Sequence, residues 1–267
     1  MKKDSDYFSG RLLLGDDFTE SEIAEWFSDE AEAYANLGAK DRENYSYGYH
    51  RLNEFHAFRF LKGVFFEKAL GVGSAYGDEF LPIANSIGNI TILDPSDSFN
   101  KEVSVLGVSC DYKKPSISGE MPFEDCEFDL ISCLGVMHHI PNVSYVMREC
   151  YRCLRKDGLM IIREPITSMG DWNFPRKGLT KRERGIPLDI FEGIIKSAGF
   201  SIVSRAPCNF PMLPKIAQKL GFAAYNNYIF TLLDKYLSFM FFWNTSYHRV
   251  KFIKKIAPGS VFYVLRK

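Results

Sequence analysis

The chain of 267 residues contains no long uninterrupted apolar run. Its most apolar stretch, residues 222–243, is broken by two asparagines, Asp234 and Lys235. A membrane-spanning helix needs about 20 consecutive, predominantly apolar residues, so the sequence excludes one here. The N-terminal residues are polar and lack the apolar segment of a signal peptide. We therefore expect a cytoplasmic protein.

An excess of charge of one sign is also missing. There are 33 Lys and Arg against 33 Asp and Glu, and this zero net charge argues against a dedicated nucleic-acid partner. The charges are unevenly placed, because residues 16–32 are acidic whereas the loop 176–184 and residues 206–267 are basic. Two interpretations stay open: solvated faces, or surfaces for an anionic ligand or a homodimer contact.

The cysteines do not form a pattern typical of a disulfide framework or a zinc site. Six cysteines in a chain without a secretion signal indicate free thiols. Cys150 and Cys153 form a C-x-x-C pair, but the pair falls within a helical pattern, which favours packing over redox or metal chemistry. We predict no metal site.

What the sequence does contain, from about residue 66 onward, is a series of short apolar runs that alternate with helical patterns. This alternation predicts βαβ units and an α/β fold with a doubly wound, mostly parallel sheet. Helical patterns, one opened by a capping box of Thr19 and Glu22, precede the series. We predict four segments: an N-terminal helical cover (1–65), a core (66–205), a helical aromatic lid (206–258) and a final sheet strand (259–267).

A glycine-rich turn follows the first apolar run, at residues 71–77, and a helical pattern begins near Asp78. Such a turn lets the backbone approach a ligand and exposes N–H groups at the helix start. The next run ends in Asp94, an acid placed to accept hydrogen bonds from ribose hydroxyls. A dinucleotide fingerprint needs its third glycine one residue before Gly77, which disfavours a NAD-dependent enzyme.

Three further motifs follow: EMPFEDCEFDLI at 120–131, VMHHIP at 136–141 and RECYRCLRKDG at 148–158. With the turn and Asp94, they resemble the motifs of class I S-adenosylmethionine-dependent methyltransferases over roughly residues 66–205. The resemblance implies a Rossmann-like sheet of seven strands, mostly parallel with the last strand antiparallel, and S-adenosylmethionine as cofactor. It says little about which molecule accepts the methyl group.

The resemblance also implies cofactor contacts: the turn against the methionine part, Asp94 on the ribose, and residues near 117–121 around the adenine. Gly71 stands where relatives carry an acid, and Ile117 stands where many carry an aspartate. Either the affinity is lower, or the N-terminal aromatic segment compensates. The implied cofactor-binding residues are Gly71, Gly73, Ala75, Gly77, Asp94, Ser118, Met121, Leu134, His138 and Tyr45.

Methyl transfer is an in-line displacement that depends mainly on positioning, and a hydroxyl acceptor also benefits from a general base. His139 and Glu164 follow the fourth and fifth strands of the resemblance, at the active face. We predict His139 as the base, and the alternative is a structural or cofactor-shaping role for His138 and His139. Glu164 is a candidate base or substrate hydrogen-bond acceptor, and the alternative is an anchor of its loop. Tyr45, Tyr47 and His50 are expected to close over the cofactor.

We predict an S-adenosylmethionine-dependent methyltransferase acting on a small molecule or a glycan or lipid precursor, with oxygen as the preferred acceptor atom. The departures at Gly71 and Ala75 leave open a catalytically impaired domain that serves as a partner subunit. A NAD-dependent enzyme is the third alternative. The aromatic lid is expected to roof the acceptor pocket or to form a homodimer contact. Its basic residues, with the loop 176–184, favour an acceptor with an apolar body and an anionic group.

Overall fold

The computed structural model describes residues 2–99 and 103–267, and within them the chain forms one mixed sheet flanked by helices. The strands are β1 (Phe66–Val72), β2 (Ile87–Leu93), β3 (Val103–Val105), β4 (Val108–Lys113), β5 (Phe128–Leu134), β6 (Leu154–Pro165), β7 (Ser201–Cys208) and β8 (Ser260–Arg266). Their spatial order is β3-β4-β2-β1-β5-β6-β8-β7.

The sheet confirms the doubly wound arrangement. Strands β4, β2, β1, β5 and β6 are parallel, and β8 lies antiparallel between β6 and β7. The predicted count of seven strands is wrong by one, because the short β3 pairs with β4 in an antiparallel hairpin. Leu106 and Gly107 turn this hairpin with positive φ angles of 49° and 84°. A three-residue strand has too little apolar pattern to stand out in the sequence.

The helices that cover the sheet are short. They are α1 (Lys2–Ser9), α2 (Glu20–Glu30), α3 (His50–His56), α4 (Val143–Cys153), α5 (Leu188–Ser197), α6 (Met212–Lys219) and α7 (Tyr228–Met240). Single turns of other helix types lie at Ala35–Ala39, Phe58–Phe60, Met137–His139, Ala224–Asn226, Phe242–Asn244 and Phe252–Lys255, with a longer 3-10 helix at Asp78–Ser86. No helix in the described parts of the chain is long and apolar enough to cross a membrane.

Two apolar cores pack on the two faces of the sheet. Helices α4 and α5 cover one face, where Cys150 and Cys153 are buried among other apolar side chains, as the packing interpretation predicts. Helices α3 and α6, with the 3-10 helix, cover the other face. Because both faces are covered, the carboxyl ends of the parallel strands form the free edge at which a doubly wound sheet binds ligands.

The helix expected after the glycine turn is a 3-10 helix rather than an α-helix. Pro82 lies inside it and has no N–H to donate to the preceding turn, so a regular α-helix is disfavoured there. Helix α3 (His50–His56) is likewise short. It ends at His56, because Ala57 leaves the helical region, and continues as a 3-10 turn.

The N-terminal cover lies against the carboxyl edge of the sheet. Helix α2 begins with the predicted capping box, in which the Thr19 hydroxyl accepts from the Glu22 backbone N–H and the Glu22 carboxylate accepts from the Thr19 N–H. Trp26 on this helix is buried, and its indole N–H donates to the backbone carbonyl of His139 at 2.6 Å. The cover is thereby held against the loop that follows β5.

Candidate active site

A cleft opens at the carboxyl ends of β1, β2 and β5. Its larger part is a cavity of about 440 Å³ with a polar lining that includes Ser74, Ala75 and Asp94. A smaller apolar cavity of about 110 Å³ adjoins it. Gly73 and His139 line both cavities, so the two are lobes of one cleft.

The glycine turn forms the floor of this cleft. Gly73 has a φ of +62°, and its N–H donates to the Leu93 carbonyl at 2.8 Å. A Cβ atom on Gly73 would lie 2.5 Å from a methyl carbon of Val136, so glycine is required there even without a ligand. Gly77 also has a positive φ, but neither Gly71 nor Gly77 lines the cavities. These two glycines shape the turn, and Gly73 to Ala75 present its surface.

Position 71 carries glycine because the space above it is filled. A Cβ atom there would collide with the side chain of Ser74, whose hydroxyl donates a hydrogen bond to the Glu79 carboxylate. Glu79 is buried and lines the larger cavity. Burial raises the pKa of Glu79 to about 7, against the opposing effect of the Ser74 hydrogen bond. Ser74 and Glu79 thus place an acid beside the turn although position 71 has none.

Asp94 ends β2 and faces the larger cavity. Its carboxylate accepts from the backbone N–H groups of Ser96 at 3.0 Å and Ala75 at 3.3 Å. Burial raises the pKa of Asp94 to about 6, and these two hydrogen bonds oppose the rise. Each carboxylate oxygen retains a further lone pair, which leaves Asp94 able to accept from a ligand hydroxyl.

The smaller lobe has an almost wholly apolar lining. Met121 and Ile117 belong to it, as does Gly119. Ser118 lies outside both cavities: it is exposed and bonds to Ser116. We therefore correct the predicted contact from Ser118 to its neighbours Ile117 and Gly119, because residues 116–119 form a turn, closed by the Gly119 N–H donating to the Ser116 carbonyl at 3.0 Å.

The buried Glu164 holds the loop that follows β5. Its carboxylate accepts from the backbone N–H groups of Val136, Met137 and His138 at 2.9, 2.9 and 3.2 Å. It also bonds to His138 Nδ1 at 2.7 Å. Burial would raise the pKa of Glu164, but the His138 contact lowers it. Glu164 lines neither cavity and its carboxylate is saturated, so it is a positioning residue and not the predicted base or acceptor-binding group.

His138 carries a positive charge inside the protein. Its Nε2 lies 3.4 Å from a carboxylate oxygen of Glu183, on the side opposite Glu164. Burial opposes the charge, but hydrogen bonds to the two carboxylates outweigh it and raise the pKa of His138 to about 9. His138, His139 and Glu183 also lie close enough together to suggest a metal site. In this structure both ring nitrogens of His138 contact carboxylates, Nδ1 that of Glu164 and Nε2 that of Glu183.

His139 is the neutral member of the pair. Its Nδ1 lies 2.9 Å from the carboxylate of Glu30 on α2, and the two histidine rings are 4.1 Å apart. Burial and the charge of His138 lower the pKa of His139, against the opposing contact with Glu30. With Nδ1–H donating to Glu30, Nε2 carries the lone pair of the neutral ring. His139, which lines both lobes of the cleft, is therefore oriented by Glu30 and neutral, whereas His138 lines the larger lobe alone.

The larger lobe also contains an unpaired buried cation, Arg163, on β6. Its guanidinium carbon lies 3.9 Å from the centre of the Tyr49 ring, which itself stacks on Tyr225. Nη1 of Arg163 is buried without a hydrogen-bond partner, and no described carboxylate pairs with the group. A buried guanidinium in this state has N–H groups with which it can bind an anionic ligand group.

The tyrosine-rich segment closes one side of the larger lobe. Tyr45 and Tyr47 line the cavity, as expected, whereas His50 does not. The Tyr47 hydroxyl accepts from Asn53 at 2.8 Å, and the Tyr47 carbonyl accepts from the side chain of Asn226 at 2.7 Å. Burial raises the pKa of Tyr47 well above its usual value. The segment is thus fixed by α3 and by the turn before α7.

Two surface expectations differ from the structure. The basic loop 176–184 is not a free anion site, because Lys181 and Arg182 pair with Asp29 at 2.8 and 2.7 Å. The acidic N-terminal stretch and this loop therefore neutralise each other within one chain. The predicted lid does not roof the cleft either, since Asn209 is the one residue of 206–258 that lines the larger cavity.

Sequence reasoning missed Glu30, Glu79 and Arg163. Glu30 lies on α2, more than a hundred residues before His139, and no local pattern links them. Glu79 could have been found, because it and Asp78 are the two acids that directly follow the turn and could replace the acid missing at position 71. The structure shows that Asp78 pairs with Arg42 instead. Arg163 could have been found from the sequence, because it stands at the end of a buried apolar strand. Burying an unpaired cation there costs free energy unless a ligand pairs with it.

Comparison with known proteins supports this geometry. A family model for a methyltransferase domain matches residues 70–162. A ubiquinone biosynthesis O-methyltransferase of Actinobacillus pleuropneumoniae serotype 7 is 26% identical over 106 residues, which are 37% of this chain and 45% of the relative. The chain thus spans less than half the length of the curated relatives it matches.

Solved structures share the fold at low sequence identity. The cyclase SpnF has a TM-score of 0.58 at 14% identity, with 94% of this chain and 97% of SpnF covered. An S-adenosylmethionine-dependent methyltransferase from Mesorhizobium loti has a TM-score of 0.51 at 13% identity, with 79% and 96% covered.

The cleft fits the cofactor of that family. An apolar lobe suits a planar base, Asp94 suits a ribose, and the buried carboxylate of Glu79 suits a cationic amino acid tail. The domain match, the strand order with its inserted antiparallel strand and this fit agree with one another. Residues 70–162 therefore match a methyltransferase domain, within a chain that shares the fold of S-adenosylmethionine-dependent methyltransferases.

Proposed function

We propose that this protein transfers a methyl group from S-adenosylmethionine to an oxygen atom of a small acceptor that carries an anionic group. The observation that carries the proposal is the neutral, oriented His139, whose Nδ1 is held by Glu30 and whose ring lines the cleft. The relative's name, a ubiquinone biosynthesis O-methyltransferase, supports oxygen as the acceptor atom. The acceptor is a small molecule or a glycan or lipid precursor, and the reaction takes place in the cytoplasm.

The cofactor, when bound, supplies an electrophilic methyl group on a sulfonium. Asp94 would accept from the ribose hydroxyls, and Met121 and Ile117 would enclose the adenine. Glu79 would face the ammonium of the methionine part, in place of the acid that position 71 lacks. Gly73, Ala75 and Leu134 would give the backbone surface of the site.

His139 would take the proton of the acceptor hydroxyl on Nε2. The ring is neutral near pH 7 because its pKa is lowered, so the lone pair is available. Glu30 then stabilises the imidazolium that forms, through its contact with Nδ1. His138 would stay protonated throughout, and its charge lowers the pKa of His139, so that the ring of His139 is neutral before the transfer.

Arg163 would bind an anionic group of the acceptor, such as a carboxylate or phosphate. It is buried, stacked on Tyr49 and unpaired. Its strand, β6, is separated by β1 and β5 from β2, which Asp94 follows. A bidentate contact to such a group would satisfy Nη1 and hold the acceptor hydroxyl in one place.

The first experiment separates the cofactor alternatives by thermal unfolding. At a hundredfold excess over Kd, S-adenosylhomocysteine should raise Tm by roughly 5–10 °C, whereas NAD should leave it unchanged. A shift with NAD alone would contradict the proposal. Binding without turnover of any acceptor would instead favour an impaired domain that acts as a partner subunit.

The second experiment identifies the acceptor class. The enzyme is incubated with methyl-deuterated cofactor and phenols offered in pairs, with and without a carboxylate, and products are measured by mass spectrometry. We expect transfer to oxygen and a preference for the acidic member, which Arg163→Met removes and Arg59→Met, on an exposed arginine, does not. Equal rates on both members would contradict the anion subsite while leaving methyl transfer intact.

A further inference from the structure

Helix α7 has the reverse of the usual amphipathic pattern. A surface helix normally buries its apolar stripe and exposes its polar one. Its fully buried side chains are Thr231, Asp234 and Ser238. Its exposed apolar side chains include Ile229, Leu233, Tyr236 and Met240. These four follow at intervals of four, three and four residues, so they form one stripe along the solvent side.

Hydrogen bonds inside the protein fix this orientation. The carboxylate of Asp234 accepts from the backbone N–H groups of Asn209 and Phe210 at 3.1 and 2.6 Å, and from the Tyr225 hydroxyl at 3.2 Å. A buried carboxylate with three donors cannot turn outward without losing them. The apolar stripe is therefore exposed as a built feature of the fold.

Neighbouring elements extend the exposed apolar surface. Helix α6, which contacts α7, exposes Met212, Ile216 and Leu220 at intervals of four. Beyond α7, the ring of Trp243 is 79% exposed and that of Phe252 is 78% exposed. The side chain of Asn244 donates to the carbonyls of Ile253 and Ile256, which holds these last two turns together. We call the exposed apolar side chains of 212–253 the apolar patch. It holds more than half of the exposed large apolar side chains in the described chain.

Every exposed charge within residues 206–258, the segment that carries the apolar patch, is positive. Lys215, Lys219, Lys251 and Lys255 are exposed, and the sole acid between 206 and 258 is the buried Asp234. An apolar face with aromatic side chains and lysines matches the interface of a bilayer that contains anionic lipids. Tyrosine and tryptophan favour that interface because their rings are apolar and their N–H or O–H groups remain hydrated.

We propose that the apolar patch docks this protein onto the surface of an anionic lipid bilayer. A second copy of the chain is the less suitable occupant. A two-fold contact sets the same surface against itself, so the lysines of the two copies would face one another without any exposed acid between them. The proposal does not rest on methyl transfer, because it concerns a surface separate from the cleft.

Vesicle flotation tests the proposal with the full-length protein. We expect binding to vesicles of phosphatidylcholine and phosphatidylglycerol at 3:1 to exceed binding to pure phosphatidylcholine at least tenfold. The double variant Trp243→Ser, Phe252→Ser should lose at least tenfold. The matched control Phe65→Ser, Phe174→Ser removes two exposed aromatic rings outside the patch and should bind like the wild type.

Charge and insertion are measured separately. Lys251→Glu with Lys255→Glu should abolish the preference for the anionic vesicles, whereas Lys62→Glu with Lys177→Glu, on exposed lysines elsewhere, should keep it. In a Trp172→Phe background, vesicles should shift the tryptophan emission to shorter wavelength, because Trp243 leaves water. All of the substituted residues are exposed except Trp172, which is half-buried and stacks on Phe8, so an unchanged Tm of each variant verifies folding.

Two outcomes would overturn the proposal. One is wild-type protein that stays with the aqueous fraction at every lipid composition. The other is a stable dimer in sedimentation velocity that Trp243→Ser, Phe252→Ser dissociates, since the apolar patch would then be covered by a second copy. Equal loss of vesicle binding in the patch variant and in its matched control would also contradict a specific surface.

Discussion

Glu79 combines a buried carboxylate with a place in the cofactor cleft, and this gives cofactor binding a pH dependence. The pKa of Glu79 is about 7 because burial disfavours the charged form. A cationic ligand favours that form, so binding must release a proton wherever the free carboxyl is still protonated. The affinity for S-adenosylmethionine should therefore rise as the pH increases from 5.5 to 8.

Glu79→Gln tests this assignment. At pH 8 the variant should bind S-adenosylmethionine about tenfold more weakly or worse, which is the scale of a lost hydrogen bond to a charged group. At pH 5.5 its affinity should differ much less from that of the wild type. Isothermal titration in buffers of different ionisation enthalpy measures both affinity and proton release. Asp78→Asn is the control, because Asp78 pairs with Arg42 and does not line the cavities. Proton release that persists in Glu79→Gln would assign the titration to another group.

His139 and Glu30 should behave as a unit in catalysis. His139→Gln should lower kcat by about 10²–10⁴-fold, the usual contribution of a positioned general base. Glu30→Gln removes the group that raises the pKa of His139, so the acid limb of the rate profile should move to lower pH while the plateau falls. The neighbouring Asp29→Asn alters a contact with Lys181 and Arg182 and should leave the limb in place. An acid limb that moves equally in Asp29→Asn would mean a general loosening of α2.

At the scale of elements, the connection between β5 and α4 is held by charge rather than by apolar packing alone. Glu164 and Glu183 both pair with His138, whose pKa is about 9 in the folded protein against 6.5 for the free side chain. A folded pKa above the unfolded one means that the folded state binds the proton more tightly. This stabilisation is complete below pH 6.5 and is lost as the pH rises through 9.

The free energy of unfolding should therefore fall by about 2–3 kcal/mol between pH 6.5 and 9.5. Urea denaturation at several pH values measures this slope. His138→Gln should be less stable at pH 6.5 and should show a flatter profile, because the titrating group is gone. A variant profile parallel to that of the wild type would show that other groups set the alkaline slope.

At the scale of the whole molecule, zero net charge and the apolar patch together favour self-association near neutral pH. We expect solubility to be lowest near pH 7 and to increase on either side, as measured by precipitation with polyethylene glycol. The double variant Trp243→Ser, Phe252→Ser should be more soluble than the wild type at this minimum. The control variant Phe65→Ser, Phe174→Ser should have a smaller effect. Solubility that does not change between pH 7 and 9 would contradict this expectation.

The sheet and the outline of the cleft could be predicted from the order of the residues. Strand positions follow from apolar runs, and residues at the ends of parallel strands meet at one edge whatever the details of packing. For this reason Asp94, Leu134 and His139 were placed correctly at the cleft, and Gly73 and Ala75 at its turn. The motifs also indicated the family, since their residue types are spaced along the core in the order of its strands.

Which groups act together depends on contacts between residues that are far apart in the chain. Glu30 orients His139 across more than a hundred residues, and Glu164 turns inward as an anchor whereas Arg163, its neighbour on β6, faces the cleft. The aromatic segment 206–258 was expected to cover the pocket, but its buried Asp234 turns the apolar stripe of α7 outward. The spacing of apolar residues in the sequence indicates how much apolar surface a helix or strand carries. The direction in which that surface points depends on hydrogen bonds and ion pairs between distant residues, which no local pattern records.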